Sequence, residues 1–304
     1  MIRPFRFGWN AETAVSNAFA EPSLAPADQL QAQARHEFEA LRARLLQAGV
    51  DVTVFDDPPT PHTPDALFPN NWFSTHDDGT LVLYPMAAAS RRAERRPAVI
   101  AALRQLGFDR VIDLSHHELA GRFLEGTGSL VLDRRGRIAY AATSLRTHPQ
   151  LVAEFARALG YRPVVFSTQL PQGQPVYHTN VVMSVGSTLA VVCLEAIADA
   201  EQRAQVRAAL ADSGRAILPI SLAQLAAFAG NLLQLHSRDG HALWVMSSRA
   251  HAALTPDQRA DLARDATIVH TPLPTIESVG GGSARCMLAE LFLPAAPRGL
   301  TGCG

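Results

Sequence analysis

Cysteine is scarce in this sequence, with three residues, at positions 193, 286 and 303, among 304. So small and odd a number does not form a disulfide framework. No two cysteines stand in C-x-x-C spacing and no histidines in H-E-x-x-H, so the usual motifs of zinc sites are lacking. The pair His116 and His117, beside Glu118, is better explained as a polar turn than as a metal site. We therefore expect no metal and no other cofactor.

Net charge and long apolar runs are lacking too. The formal charge is −1 and the Lys and Arg residues are scattered, which argues against a nucleic-acid or membrane partner. No run approaches the ~18 apolar residues of a membrane span, and the opening MIRPFRFGWN has no apolar signal core. With 47% hydrophobic residues the chain is typical of a globular protein, and we expect it in the cytoplasm. No feature indicates the oligomeric state.

What the sequence does contain is a repeat. Four segments each place two apolar runs around a polar turn that contains glycine, which predicts a β-hairpin. The segments start at Asn71, Thr127, Asn180 and Asn231. Their turn glycines are 57, 50 and 54 residues apart. Such regular spacing predicts a repeat architecture.

A helical pattern and a short strand follow each hairpin, and in the last repeat Thr255 and Pro256 open the helix as N-cap and first residue. The N-terminus supplies a fifth unit: the strand RPFRFGW, a helix carrying Phe38, Leu41 and Leu45, and the strand VDVTVF. The closing GGGSARCMLAELFL would complete this unit. Five ββαβ units predict a closed ring, which leaves no sheet edges exposed; the alternative is an open α/β sheet.

In a ring the hairpin starts meet at one mouth, so residues distant in sequence share a site. Polar residues that a hairpin does not need stand at these starts. They lie in DALFPNN (65–71), in FLEGTGS with Glu125, in VYHTN with His178 and Asn180, and in GGGSARCM with Cys286.

Together these residues match the needs of a cysteine nucleophile. A free thiol has a pKa of about 8.5, so a nearby base must raise its thiolate fraction. His178 can be that base and then protonate a leaving group, and Glu125 can orient its imidazole. Cys193 lies in the apolar run LAVVCLE and is expected in the core. Cys303, in the glycine-rich tail, is expected to be an incidental exposed thiol.

The motifs resemble those of the guanidino-group-modifying superfamily. GGGSARCM is similar to the G-G-G-x-x-R-C-M nucleophile loop of arginine deiminases, and FPNNWFSTH and FGWNAETAVSNAF resemble the branch of citrulline-utilisation hydrolases. The resemblance implies an α/β pentein fold, a five-bladed α/β propeller of pseudo-repeated ββαβ units, as one catalytic domain over residues 1–304. It implies Cys286 as nucleophile, His178 as general acid and base, and Glu125 as the carboxylate of the triad.

The chain departs from its relatives in two motifs, where three amides replace acids. Several relatives read D-x-x-F-x-E-D where this chain reads DALFPNN, so Asp65 remains while Asn70 and Asn71 replace acids. Arginine deiminases read H-x-D where this chain has Asn180. A guanidinium is a cationic donor that needs carboxylates, whereas an amide also suits a neutral ureido group. The departures favour a citrulline-like substrate.

The sequence therefore predicts a hydrolase of a ureido or guanidino C–N bond in a small amino acid, with citrulline giving ornithine, ammonia and carbon dioxide. Further predicted substrate-binding residues are Phe68, Asp65, Asn70, Asn71, Asn180 and Arg285. The alternatives are an arginine deiminase or dimethylarginine hydrolase, an amidinotransferase, and a non-catalytic binding ring. No motif identifies the groups that bind the substrate's carboxylate and amine, although the loop from Phe7 to Asn10 and the loops around Arg122 and Arg146 are candidates.

Overall fold

The computed structural model describes residues 1–293, in which fourteen short strands and eleven α-helices alternate. The strands are β1 Ile2–Arg3, β2 Phe55–Asp56, β3 Phe73–Thr75, β4 Thr80–Leu83, β5 Arg110–Asp113, β6 Val131–Asp133, β7 Ile138–Thr143, β8 Arg162–Ser167, β9 Met183–Val185, β10 Leu189–Val192, β11 Ala216–Pro219, β12 Leu233–His236, β13 Ala242–Ser247 and β14 Thr267–Thr271. The helices are α1 Ala11–Ala14, α2 Ala27–Gln47, α3 Ala89–Arg92, α4 Pro97–Gln105, α5 Gly126–Ser129, α6 Pro149–Leu159, α7 Thr179–Val182, α8 Ala200–Asp212, α9 Leu222–Ala226, α10 Ser248–Ala253 and α11 Pro256–Asp265.

Four three-stranded sheets share one pattern. In each, the first two strands form an antiparallel hairpin and the third pairs parallel to the middle strand. A parallel partner requires a crossover, and helices α4, α6, α8 and α11 supply it. The predicted ββαβ repeat is confirmed, and the fold is a pentein α/β propeller.

The fifth sheet departs from that pattern. It has two strands, β1 and β2, which pair in parallel, with the long helix α2 between them. The predicted strand RPFRFGW stops at Arg3 because Pro4 has no N–H for a ladder. The closing segment forms no strand within residues 280–293; Ala284–Met287 is a single 3-10 turn instead. It is joined to β3 by hydrogen bonds of Thr75 Oγ1, to Glu290 O at 2.8 Å and from Phe292 N at 3.0 Å.

The predicted helix ends and buried faces also appear. Thr255 caps α11 in a capping box with Gln258, and Pro256 is the first residue. Helix α6 buries one face against the second sheet, with Leu151, Val152, Phe155, Ala156 and Leu159. Within residues 1–293, no helix combines the length and apolar character that a membrane crossing needs.

Four short helical turns meet where the hairpins begin. Pro69–Asn71, a 3-10 turn, packs on α5, α5 packs on α7, and Pro69–Asn71 also contacts Ala284–Met287. Glycine permits this approach: Gly126 has a φ of 47°, and a Cβ there would collide with the backbone oxygen of Asn70. The predicted common mouth is therefore present, built from turns that are far apart in the sequence, from Pro69–Asn71 to Ala284–Met287.

Candidate active site

His178 and Glu125 form a buried pair at this mouth. His178 precedes α7 and Glu125 precedes α5, and the two short helices pack together. Nε2 of His178 lies 2.8 Å from Oε2 of Glu125, which leaves Nδ1 as the ring nitrogen available for proton transfer. A Cβ on Gly128 would lie 2.7 Å from the imidazole, so glycine is required beside the ring.

Two arginines set the charge of this pair. Arg146 Nη1 and Arg91 Nη1 lie 3.5 and 3.9 Å from Oε2 of Glu125. Although burial opposes its ionisation, Arg146, the hydrogen bond from His178 and Arg91 together lower the pKa of Glu125. Burial lowers the pKa of His178 to about 4, with Arg146 and Arg91 adding to the effect of burial and Glu125 opposing it. At neutral pH the site therefore holds a carboxylate and an uncharged imidazole.

Cys286 is buried on the 3-10 turn Ala284–Met287, and two side-chain amides contact its sulfur. Asn231 Nδ2 lies 3.3 Å and Asn180 Nδ2 lies 3.6 Å from Sγ. Asn231 also donates to Asn180 O and accepts from the backbone N of Arg285. Asn180 and Asn231 therefore hold the sulfur of Cys286 in place through their amide groups.

Cys286 and His178 line the same narrow pocket. Its other lining residues are Thr13, Asn17, Asp65, Phe68, Asn71, Arg91, Arg146, Tyr177, Gly280, Gly281 and Gly282. The enclosed volume is about 10 Å³, room for no more than one water molecule. Thr13 and Asn17 belong to the N-terminal segment that covers the pocket. An amino-acid substrate does not fit in this volume, so lining residues must move before it can enter.

The DALFPNN segment contributes three of its four predicted residues to the lining. Asp65, Phe68 and Asn71 line the pocket, whereas Asn70 lies behind it and accepts a hydrogen bond from Asn71 Nδ2 at 3.1 Å. Asn71 Oδ1 accepts from Arg91 Nη1 at 2.7 Å. Asp65 accepts through Oδ2 from Asn10 and Thr13. The amide predicted to read a ureido group is thus already held by an arginine.

Arg285 was predicted to bind the substrate, but it does not line the small pocket. Its guanidinium donates to Leu288 O at 2.7 Å and contacts Glu290 at 3.3 Å. It lines a separate, larger cavity of about 650 Å³ that Cys286 and His178 do not line. The small pocket is the candidate active site because it contains the thiol and the imidazole. Arg285 anchors the Ala284–Met287 turn from behind, since its backbone N donates to Asn231 Oδ1 and its side chain faces away from the pocket.

The sequence does not predict a functional role for Asn231 or Arg91, and it marks Arg146 only as one of several candidates. Asn231 opens the fourth repeat as Asn71 and Asn180 open two others, so the alignment of repeats was the signal that pointed to it. Arg91 lies in the run SRRAERR, which is typical of a solvated surface, yet it is 2% exposed. Arg146, named as a candidate, lines the pocket, while Arg122 pairs with Gln150 at the surface.

The other cysteines are placed as follows. Cys193 is fully buried in the core, as predicted, and burial raises its pKa to about 11. Cys303 lies outside the described residues.

The histidine pair that the sequence assigned to a polar turn is also located. His116, His117 and Glu118 lie in a 3-10 helix, Ser115–Ala120.

Solved structures share this fold across nearly the whole chain. The N-terminal domain of ArgZ, covalently bound to a reaction intermediate, is 20% identical with a TM-score of 0.74, and 98% of each chain is covered. Apo ArgZ, an arginine dihydrolase from the ornithine-ammonia cycle in cyanobacteria, has a TM-score of 0.75 and 20% identity. The match covers 98% of this chain and 41% of the ArgZ chain. A dimethylarginine dimethylaminohydrolase adduct with S-methyl-L-thiocitrulline has a TM-score of 0.62 and 16% identity, with coverage of 94% and 96%. No curated protein matches the sequence.

The fold and the buried thiol–imidazole–carboxylate set define a pentein enzyme of the guanidino-modifying class. Residues 3–293 match the family described as N,N dimethylarginine dimethylhydrolase, eukaryotic. The chain belongs to this family. The prediction of a hydrolase acting on non-peptide C–N bonds is thereby confirmed.

Proposed function

We propose that the chain is a Cys286-dependent hydrolase of the ureido or guanidino C–N bond of a small amino acid, with citrulline as the preferred substrate. The observation that supports it is one pocket lined by Cys286 and His178, with Glu125 holding His178 from behind at 2.8 Å. Residues 1–304 would act as a single catalytic domain, because the four turns that surround this pocket come from different blades.

The reaction follows from these groups. Cys286 Sγ attacks the planar carbon while His178 takes the thiol proton and passes it to the departing nitrogen, so that ammonia leaves and a thiocarbamate remains on the sulfur. Water, deprotonated by His178, then attacks the same carbon and the C–S bond breaks. The released carbamate of ornithine loses carbon dioxide. Citrulline and water thus give ornithine, ammonia and carbon dioxide.

The preference for a neutral head group rests on the amides. Asn180 and Asn231 contact the sulfur through their side-chain amides, and Asn71 lines the pocket. An amide offers both a donor and an acceptor. A buried guanidinium without carboxylate partners would lose several kcal/mol, about two or more powers of ten in binding. Near the sulfur the contacting side chains are amides, which match the oxygen and nitrogens of a ureido group.

The ends of the amino acid have candidate partners in the same pocket. Arg146 is buried beside the ring of Tyr177, with its guanidinium 5.0 Å from the ring centroid. A buried arginine binds a carboxylate through charge-assisted hydrogen bonds, and Arg146 would exchange its bonds to Ser16 Oγ and Thr13 O for the substrate carboxylate. Asp65 uses only its Oδ2 for Asn10 and Thr13. We assign Arg146 to the substrate carboxylate and Asp65 to its amine.

Arginine is the second candidate substrate. The likeness to ArgZ, whose name is arginine dihydrolase, and the family name both favour a guanidino substrate. Hydrolysis of arginine would give citrulline and ammonia through the same sulfur. A site lined by amides would retain citrulline for a second hydrolysis.

Two measurements test the proposal. Intact mass after acid quench should detect an adduct on the wild-type chain with citrulline and none on Cys286→Ala, and full turnover by that variant would refute the nucleophile. Ammonia release should then be compared across citrulline, arginine, methylated arginines and agmatine. Higher kcat/KM for arginine than for citrulline would overturn the neutral-substrate assignment and leave the nucleophile intact.

A further inference from the structure

A second cluster of chemically active side chains lies away from the pocket. The 3-10 helix Ser115–Ala120 follows β5 and presents His116 and His117, and α6 presents Glu154. One ring nitrogen of each histidine and one carboxylate oxygen of Glu154 lie within 4.8 Å of one another. His116 is exposed, His117 is buried and Glu154 is half-buried.

His117 carries the observation that points to a ligand. The residue is 9% exposed, and its Nε2 is buried without a hydrogen bond, although Glu154 Oε2 lies 3.0 Å away. Buried ring nitrogens are normally hydrogen-bonded, so one without a partner needs an explanation. A nitrogen and an oxygen 3.0 Å apart and not aligned as donor and acceptor are spaced as two ligands of one ion, each about 2.0–2.1 Å from it.

The neighbouring acid, Glu118, is excluded by its own contacts. Oε1 accepts from Met86 N at 2.8 Å and from Arg95 at 2.6 Å, and Oε2 accepts from Arg95 at 3.0 Å. The sequence placed Glu118 beside the histidines, but the fold replaces it with Glu154, which is 36 residues further along the chain than Glu118. His116 Nδ1 lies 3.1 Å from Asp113 O, and such a hydrogen bond orients the ring of a metal-binding histidine.

We propose that His116, His117 and Glu154 bind a divalent transition metal of the zinc class, outside the catalytic pocket. Two imidazoles and one carboxylate are a zinc ligand set, with the fourth tetrahedral position open to water. The bound ion would tie the 3-10 helix, which leads towards Glu125, to helix α6.

Zinc titration of the full chain tests the site. The background is Cys286→Ser with Cys303→Ser, which removes the thiols that would compete for zinc. Calorimetry should find one Zn²⁺ per chain and a higher Tm. His116→Ala and Glu154→Gln should each weaken Zn²⁺ binding by at least about tenfold, and Co²⁺ should give the absorption of a tetrahedral site in the background chain alone.

The matched control is His36→Ala, an exposed histidine on α2, which should bind Zn²⁺ as the background does. Circular dichroism and Tm in EDTA establish that each variant is folded. Equal Zn²⁺ affinity in the background, His116→Ala and Glu154→Gln, or no binding to the background, would overturn the proposal.

Discussion

Asn71→Asp is the substitution that most directly probes the choice of substrate. It introduces the acid that several relatives carry in D-x-x-F-x-E-D and keeps the number of heavy atoms in the side chain. Arg91 Nη1, 2.7 Å from Asn71 Oδ1, can keep its hydrogen bond to the new carboxylate. Asn70 can turn its amide, whose Nδ2 is buried and unpaired, to donate to the other oxygen. The fold should therefore accept the charge.

The expected effect follows from Coulomb's law. A carboxylate about 4 Å from a substrate guanidinium gains about 4 kcal/mol at an effective dielectric constant of about 20. Arg91 forms a shorter contact with the new carboxylate than the substrate would, so it neutralises part of the charge. We therefore expect transition-state stabilisation to change by about 2 to 3 kcal/mol in favour of arginine over citrulline. That is roughly a 30- to 150-fold rise in the ratio of kcat/KM for arginine to kcat/KM for citrulline.

Both substrates release ammonia, so one assay measures the ratio. Asn71→Ala is the control, because it removes the amide without adding charge and should lower kcat/KM for citrulline without favouring arginine. A ratio in Asn71→Asp within about threefold of wild type, or one shifted towards citrulline, would refute the electrostatic reasoning.

Three further predictions concern the surrounding groups. Glu125→Gln leaves Arg91 and Arg146 short of a buried partner, so urea denaturation should show a loss of about 3 to 5 kcal/mol in unfolding free energy; an unchanged midpoint would contradict this. Asn231→Ala removes the amide 3.3 Å from the nucleophilic sulfur and should lower kcat about tenfold with KM little changed; a rise in KM alone would assign Asn231 to substrate binding. The pKa of His178 is lowered to about 4 from 6.5, so the unfolded chain binds more protons between these values and the unfolding free energy should rise with pH across pH 4 to 6.5 and then level off; the slope of this rise should decrease in His178→Gln.

Most of the fold could be predicted from the sequence repeat. Hairpin, helix and parallel strand recur in one order because each unit must bury its apolar face on its neighbours, and that requirement is written into the local pattern. The strand at RPFRFGW was predicted too long, although Pro4 marks its end. The closing segment was assigned to the fifth unit by analogy with the other repeats, while its three glycines and the bond from Arg285 N to Asn231 hold a turn there.

The direction in which individual side chains point could not be predicted from the sequence. Cys286, His178 and Glu125 could be predicted because they occupy matching positions of the repeat. Arg285 adjoins Cys286 in sequence, yet its side chain lines the larger cavity. Arg91 comes from a basic run, yet it is buried. Their acidic partners are close in sequence, Glu290 for Arg285 and Glu94 for Arg91. What the local pattern does not show is that packing buries both arginines, and that Arg91 also binds Asn71 and Phe68 O.

Charge pairing explains how an amide-lined pocket can hold so many ions. Glu94 binds Arg91 through both oxygens, at 2.9 and 3.0 Å, and Glu125 is committed to His178. Within the part of the chain that the structure describes, Asp65 is the pocket-lining acid, and one of its oxygens is already used. If Asp65 takes the amine of the substrate, no carboxylate is left for a guanidinium. Asp65→Asn should then impair citrulline and arginine alike through KM, whereas a selective loss of arginine would place the guanidinium, not the amine, at Asp65.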